Sequence, residues 1–191
     1  MYTGTNPSAL RSKQWLHDAL LQILEKKQYS QISVKDICLQ ADLSRQTFYK
    51  IYKSKDEIME YHFTLLFHDF IQKCNHYRDP SVFQIILCFF QFFLDNKAFF
   101  STLVENNMTE LLTNQLEQYL HQVNLFQHYS SKQKFPEYDA SLIAGSLTRI
   151  LIHWYQENFE LNIQEISSIT YSFLTGAVFQ SSNAFSFHNP K

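Results

Sequence analysis

The chain has 191 residues, of which 45% are hydrophobic and 18% charged, and its formal net charge is −2. This composition is typical of a globular protein, and no apolar run is long enough to cross a bilayer. Three glycines and four prolines are too few for the many tight turns of an all-β fold, so we predict an all-α fold. The first residues lack a secretory signal, and we expect a cytoplasmic protein with no membrane partner.

The charge is divided unevenly along the chain. Residues 1–55 contain nine Lys and Arg residues against four acidic residues, a net charge of +5. The remaining 136 residues contain seven basic and fourteen acidic side chains, a net charge of −7. A basic N-terminal segment joined to an acidic body predicts a head that binds a polyanion.

The N-terminal part of the chain predicts short helices. Residues 1–11 are polar and unpatterned, and we expect a flexible arm. Apolar residues at helical spacing then predict a first helix from about Leu16 to Lys27. Ser33, with Asp36 three residues later, has the spacing of a capping box that opens a second helix.

A third short helix follows a turn at Asp42 and Leu43. Ser44 is placed to cap this helix, which we expect to end at Tyr52. Its predicted inward side is Phe48, Ile51 and Tyr52 and its predicted outward side is Arg45, Gln46, Tyr49 and Lys50. Two short helices around a turn predict a helix-turn-helix. Arg and Gln can bind base edges in the major groove, whereas Ser, Thr, Tyr and Lys can hold phosphates. The alternative is a pair of capped helices with a solvated charged face.

The remainder of the chain predicts longer helices. Ser54 and Glu57 open a helix that continues to about residue 77, and Asp79-Pro80 marks the start of the next helix. Further helices are expected at about 96–105, 107–126, 139–157 and 163–180, with a loop at 128–138. We therefore expect four segments: a flexible arm (1–11), a helix-turn-helix domain (12–53), a helical body (54–180) and a flexible tail (181–191).

Aromatic side chains are dense in the predicted body, and the whole chain has 31 of them. Such density is typical of a well-filled core, and it also fits a cavity for an apolar effector. The candidates for lining a ligand pocket are Phe63, Phe67, Phe89, Phe90, Phe92 and Phe93.

The last two predicted helices combine small residues with apolar stripes. They either pack inside one chain or form an interface between two chains. The candidates for a dimer interface are Ile143, Leu147, Ile150, Trp154, Ile169 and Phe173.

The stretch from Ile32 to Ile58 resembles the DNA-binding domain of the TetR/AcrR family of bacterial transcriptional regulators. The likeness rests on a Ser-Arg-x-Thr-Phe-Tyr core at residues 44–49 and a Lys-Ser-Lys-Asp-Glu segment at 53–57. The resemblance implies phosphate contacts by Thr47, Tyr49 and Lys55, base reading by Arg45, Gln46 and Lys50, and contacts by Ser33 and Lys35 at the start of the preceding helix. It also implies that residues 12–53 are a DNA-binding domain and residues 54–180 a regulatory and dimerisation domain, with a homodimer held by a four-helix interface of the last two helices.

Two positions depart from the family pattern. The turn has Ala41-Asp42 where the family usually has Ala-Gly, and Asp tolerates the left-handed conformation better than most residues. Ile51 occupies a position that is often polar in relatives, which removes one backbone contact. We therefore expect the turn to survive and the operator sequence to differ.

Enzyme chemistry finds little support in the sequence. The chain has no GxSxG, P-loop or GxGxxG motif. Its three cysteines form no CxxC pair, and His62, His68 and His76 lack the i, i+4 spacing of a zinc helix. We expect no cofactor and no metal.

The sequence therefore favours a repressor that binds a near-palindromic operator as a homodimer and is released by a small apolar or aromatic effector. One alternative is a regulator or co-activator whose C-terminal domain binds a protein partner. A helical enzyme is the alternative from another class.

Overall fold

The computed structural model describes residues 1–76, 80–122 and 135–176, and these residues form helices joined by short turns. No strand occurs among them, which confirms the all-α prediction. The helices are α1 (Pro7–Leu24), α2 (Val34–Gln40), α3 (Arg45–Ile51), α4 (Asp56–His76), α5 (Val82–Asp95), α6 (Lys97–Glu105), α7 (Thr109–Leu120), α8 (Pro136–Gln156) and α9 (Ile163–Leu174). A 3₁₀ turn, Tyr29–Gln31, precedes α2. The expected tail (181–191) lies outside the described residues.

The chain forms two compact units. Unit 1 contains Met1–Asp69 and Thr102–Leu111, and unit 2 contains Phe70–Ser101 and the residues from Leu112 onward. The first part of α4 thus belongs with α1, α2 and α3. The boundary that we expect after residue 53 stays a prediction.

Unit 1 has a core of aliphatic and aromatic side chains in which α1 packs on α2 and α3. The most deeply buried of these side chains are Leu16, Leu20, Ile37, Phe48, Tyr52, Ile58, Met59 and Phe63. Pairs such as Leu16 with Leu20 and Phe48 with Tyr52 are four residues apart, the spacing of an apolar stripe that faces inward.

Unit 2 has a core in which aromatic rings pack with aliphatic side chains, and α5 and α9 are its most extensively packed pair. The ring of Phe90 meets Trp154 edge to face with centroids 5.4 Å apart, and Phe93 meets Phe100 at the same distance. The indole nitrogen of Trp154 donates to the carbonyl oxygen of Leu161 at 2.8 Å, so burial of the ring leaves no polar atom unpaired there.

Helices α1, α5 and α8 begin at residues that differ from the predicted ones. α1 begins at Pro7, inside the segment expected to be an arm, because Asn6 caps the helix and Pro7 fits its first turn. α5 begins at Val82 instead of Pro80, because Ser81 and the third residue after it, Gln84, form a capping box. Pro136 opens α8 within the expected 128–138 loop.

Several helix ends use left-handed residues that are not glycine. Asp42 has a φ of 52°, which confirms that the turn between α2 and α3 survives without glycine. Asn107, predicted to open a helix, instead has a φ of 57° just after α6, and α7 begins at Thr109. Asn158 and Phe159 are both left-handed after α8, and the Phe159 amide donates to the Trp154 carbonyl at 2.8 Å.

No single helix in residues 1–76, 80–122 and 135–176 is long and apolar enough to cross a membrane. The α5 and α6 pair meets that requirement only when both helices are counted together, and it is bent by 79°.

Candidate nucleic-acid interface

The start of α2 is fixed by a reciprocal cap. The hydroxyl of Ser33 accepts from the Asp36 amide at 3.2 Å, and the Asp36 carboxylate accepts from the Ser33 amide at 2.8 Å. Lys27 adds a 3.1 Å ion pair to the same carboxylate. Hydrogen bonds from Ser33 and Lys27 lower the pKa of Asp36 to about 2, so the cap is ionised at neutral pH. The predicted capping box is confirmed, and Lys35 lies exposed in the same first turn of α2.

Helix α3 presents one polar face to solvent. The hydroxyl of Ser44 accepts from the Thr47 amide at 3.0 Å and so caps the helix, as predicted. Tyr49 is 60% exposed, and the other exposed side chains of this helix are Arg45, Gln46 and Lys50. Five donor-bearing polar groups, with Thr47 half-buried among them, therefore lie on a helix only seven residues long.

The opposite face of α3 is anchored in unit 1. Phe48 is fully buried, and its ring meets Tyr49 and Tyr52 with centroid distances of 5.3 and 6.1 Å. The hydroxyl of Tyr52 donates to the Lys13 carbonyl of α1 at 3.3 Å. Burial raises the pKa of Tyr52, so this hydroxyl keeps its proton. The buried rings of Phe48 and Tyr52 therefore fix the orientation of α3 within unit 1, and with it the direction of its exposed face.

Lys55 lies between α3 and α4, and its ammonium group points into unit 1. It donates to the carbonyl oxygens of Tyr29 at 2.7 Å and Ile32 at 2.9 Å, and it lies 4.1 Å from the centroid of the Tyr29 ring. Burial lowers the pKa of Lys55. Lys55, predicted to contact a phosphate, thus contacts groups of its own chain.

The six Phe side chains predicted to line a ligand pocket lie in two groups. Phe63 and Phe67 stack in unit 1 with centroids 5.3 Å apart. In unit 2, the ring of Phe89 meets Phe90 at 5.2 Å and Phe93 at 4.8 Å, and Phe92 meets Phe93 at 5.0 Å. Five of them are buried and Phe92 is half-buried. Contacts of this kind are those of a filled core.

The predicted dimer residues divide into core and surface. Leu147 and Trp154 are buried within the chain itself, so both belong to the core of unit 2. Ile169 and Phe173 are each 50% exposed, and Ile143 and Ile150 are half-buried. An open groove of about 820 Å³ between α8 and α9 is lined by Gly145, Ser146, Arg149, Ile150, His153, Ile169, Thr170, Phe173 and Leu174.

Residues 81–176 match a TetR-type family model described as "Transcriptional regulator C-terminal region". The chain belongs to the TetR family of transcriptional regulators. The matched segment begins with the capping residue of α5 and reaches past the end of α9, so it covers most of unit 2. This match is independent of the resemblance in residues 32–58, because it lies in a different part of the chain.

Solved structures similar to this TetR-family chain show the same fold. The "Dihydroxyacetone kinase operon activator DhaS" is 18% identical, with 90% of this chain and 98% of that chain covered and a TM-score of 0.53. A TetR transcriptional regulator from Streptococcus agalactiae 2603V is 17% identical, with coverages of 87% and 95% and a TM-score of 0.57. The fatty acid degradation regulator FadR from Bacillus halodurans is 13% identical, with coverages of 92% and 98% and a TM-score of 0.58. No curated protein matches the chain in sequence.

Sequence reasoning missed three features of this TetR-family protein. The partners of Lys55 lie more than 20 residues away, and no local spacing indicates them. His17 of α1 meets His62 of α4 with Nε2 and Nδ1 3.0 Å apart, and burial together with His17 lowers the pKa of His62 to about 4. The groove between α8 and α9 includes Arg149 and His153, which an apolar pattern cannot reveal. In the part of the chain that the structure describes, no three His, Cys, Asp or Glu side chains converge as a metal site would require.

Proposed function

We propose that the helix-turn-helix of α2 and α3 binds double-stranded DNA, with α3 in the major groove. The observation that carries this proposal is the exposed Arg45, Gln46, Tyr49 and Lys50 face on a helix whose other side is buried. A recognition helix needs donors that are free to reach base edges and a rigid base that fixes their direction. Both conditions are met by α3.

Roles within this interface follow from side-chain chemistry. Arg45, Gln46 and Lys50 are proposed to read base edges, because Arg and Lys donate to guanine and Gln pairs with adenine. Contacts with phosphates are proposed for Ser33, Lys35, Ser44 and Thr47, near the starts of α2 and α3, and for Tyr49 on the exposed face of α3. The net charge of +5 over residues 1–55 supplies the attraction that does not depend on sequence.

The test is selection from a random duplex pool by the full-length protein, followed by binding of the enriched duplex. We expect a near-palindromic sequence and an affinity that falls steeply with salt. Arg45→Ala should cost roughly 1 to 3 kcal/mol on the enriched duplex and relax the preference at one base pair. The matched control is Arg11→Ala, an exposed Arg of α1 outside the interface. Equal losses on enriched and scrambled duplexes would remove Arg45 from base reading.

We also propose that α8 and α9 form the interface of a homodimer. Ile169 and Phe173 line the groove between these helices and are each 50% exposed. Large apolar side chains that are exposed together often mark a surface that binds a partner. A second copy is the occupant that fits best, because a two-fold axis presents the same face to itself and would place two α3 helices on successive major grooves. Of the predicted residues, Ile143, Ile150, Ile169 and Phe173 are accessible enough to take part.

Phe173→Glu tests the interface. The charge would be buried without a partner in the dimer, whereas in a monomer it would lie in solvent. We expect sedimentation at about twice 22.7 kDa for the native protein and at 22.7 kDa for this variant. Val82→Glu, at an exposed position of α5, should leave the dimer intact. A native particle of 22.7 kDa at micromolar concentration would contradict the proposal.

For regulation, we propose that the protein is a repressor released from DNA by a small apolar or aromatic molecule that binds unit 2. The aromatic side chains of this unit support the proposal, because apolar ligands bind among such residues. The described rings contact one another, so the ligand must separate them and select a conformation with lower DNA affinity. A hundredfold loss of operator affinity requires about 2.7 kcal/mol of coupling.

A second candidate is an activator whose unit 2 binds a protein partner. It is favoured by the close packing of the Phe rings and by a likeness in fold to a protein described as an operon activator. Two measurements separate the candidates. Compounds that raise the melting temperature and weaken DNA binding support the ligand, and loss of transcription on deletion of the protein supports the activator.

A further inference from the structure

The ammonium group of Lys55 is already occupied in the protein. It has three N–H donors, and two of them reach the carbonyl oxygens of Tyr29 and Ile32 at 2.7 and 2.9 Å. The same group lies over the Tyr29 ring at 4.1 Å, within the range of a cation–π contact. To extend toward a phosphate in solvent, the ammonium group would have to leave these carbonyl groups and the ring.

The two carbonyl groups belong to the turn that leads into α2. Tyr29 begins the 3₁₀ turn and Ile32 ends it, and both side chains are buried. The next residue is Ser33, the N-cap of α2. Buried carbonyl groups need donors, and the Tyr29 carbonyl also accepts from the Ile32 amide at 3.1 Å. Lys55 therefore completes the hydrogen bonding of the backbone just before the cap.

A second contact joins the same two segments. The Tyr29 hydroxyl donates to the carboxylate of Asp56, the first residue of α4. Lys55 thus contacts two carbonyl groups of the turn and the face of the Tyr29 ring, and the next residue, Asp56, binds the Tyr29 hydroxyl. The start of α2, which carries Ser33 and Lys35, is fixed to the segment that directly follows α3.

We infer that Lys55 is a positioning residue for DNA binding: it holds the start of α2 in place and does not itself contact phosphate. This inference rests on the proposed function, because it concerns the same interface. It predicts that Lys55 acts through Ser33 and Lys35, which face solvent beyond the turn.

Lys55→Arg separates the two roles. Arg is at least as good as Lys at binding phosphate, so a phosphate contact would survive this change. The guanidinium is larger and planar, and its N–H groups point outward in a fixed fork, so it should fit less well than an ammonium group into the half-buried space between the two carbonyl oxygens and the Tyr29 ring. We expect Lys55→Arg and Lys55→Met to weaken binding of the enriched duplex by about tenfold each, as for loss of hydrogen bonds to a charged group.

Hydrogen exchange of the free protein gives a readout without DNA. Lys55→Met should speed exchange of the Ser33 and Asp36 amides, because the cap loses its support. Lys53→Met is the matched control, since Lys53 is an exposed residue of the same connection. It should leave exchange at these amides unchanged while it removes the same charge.

A double-mutant cycle decides whether Lys55 acts through α2. If it does, Lys35→Ala should cost less in the Lys55→Met background than in the native protein. Additive losses, each with a salt slope smaller by about 0.9, would establish two independent phosphate contacts and overturn the inference. Native-like binding by Lys55→Arg would overturn it as well, and this variant decides the question if Lys55→Met does not fold. Failure of the native protein to enrich any duplex would instead refute the proposed function.

Discussion

The two units are stabilised in different ways. In unit 1, caps at Ser33 and Ser44 and the hydrogen bonds of Lys55 to backbone carbonyl groups fix the helices at their ends. In unit 2, capping boxes at Ser81 and Asn162 also fix the starts of α5 and α9, but the core in addition contains a series of ring contacts, such as that of Phe90 with Trp154. Polar contacts are directional and fix single side chains, whereas ring packing tolerates several arrangements of similar energy. The binding groups of unit 1 can consequently be identified from its residues, whereas ligand binding by unit 2 depends on how its rings rearrange.

The largest effect is expected in the aromatic core. Phe90→Ala removes a fully buried ring that contacts both Phe89 and Trp154, and it should destabilise unit 2 by about 3 to 5 kcal/mol. Val82→Ala, at an exposed position of the same helix, is the control. Urea unfolding followed by aromatic circular dichroism measures the change. A loss below about 1 kcal/mol would show that unit 2 collapses around the space and is not tightly packed.

A smaller effect is expected at the turn between α2 and α3. Asp42 has a φ of 52°, which a β-branched residue adopts only with strain. Asp42→Val should therefore destabilise unit 1 by about 1 to 2 kcal/mol, whereas Asp42→Gly should be neutral or stabilising. Thermal unfolding of both variants measures the difference. Equal stability of the two would mean that the turn changes conformation on substitution.

The cap of α2 should contribute about 1 kcal/mol. Ser33→Ala removes the acceptor of the Asp36 amide and leaves the first turn of α2 without its cap. Ser30→Ala, an exposed Ser of the preceding turn, is the control and should be nearly neutral. Chemical unfolding measures both variants. If Ser33→Ala also weakened DNA binding far beyond its effect on stability, the hydroxyl would be shown to contact DNA directly.

The smallest effect at neutral pH is expected at His62, and it should grow on acidification. Because its folded pKa is about 4, below the ordinary 6.5, the unfolded chain takes up a proton first as the pH falls. Stability should thus decline from pH 6.5 to about 4 and lose nothing more from this group below that. His62→Gln should flatten the decline, whereas His68→Gln, at an exposed position, should not. Unfolding midpoints at several pH values provide the measurement, and a native decline unchanged by His62→Gln would assign the dependence elsewhere.

Much of the structure of the basic N-terminal segment could be predicted, because its helix caps depend on residues that are close together in the sequence. Ser33 with Asp36, and Ser44 with Thr47, are caps that a spacing of three residues predicts. The partners of Lys55 could not be predicted, because the contact closes a loop of more than 20 residues and depends on the tertiary fold. The start of α1 was missed for a different reason: Asn6-Pro7 opens a helix whose first turns are polar and show no apolar stripe.

The body shows the limit of apolar patterns. Trp154 and Phe173 both lie on apolar stripes of the last two helices, yet one is buried and the other is half exposed. A stripe defines which residues face one way along a helix, but it does not distinguish a partner in the same chain from one in another chain. The distinction needed the position of α5 against α9, which no spacing within either helix contains.

The end of α8 restricts how this protein can be modified. Phe159 is left-handed, and its ring meets Trp154 with centroids 4.8 Å apart and Tyr155 at 5.8 Å. The short connection from α8 to α9 is therefore fastened to the aromatic core by its own side chain. An insertion there would pull the ring out of the core, although the connection lies at the surface where insertions are usually tolerated. A peptide tag or a fluorescent label belongs elsewhere, and length variation among natural variants should be rare between residues 157 and 162.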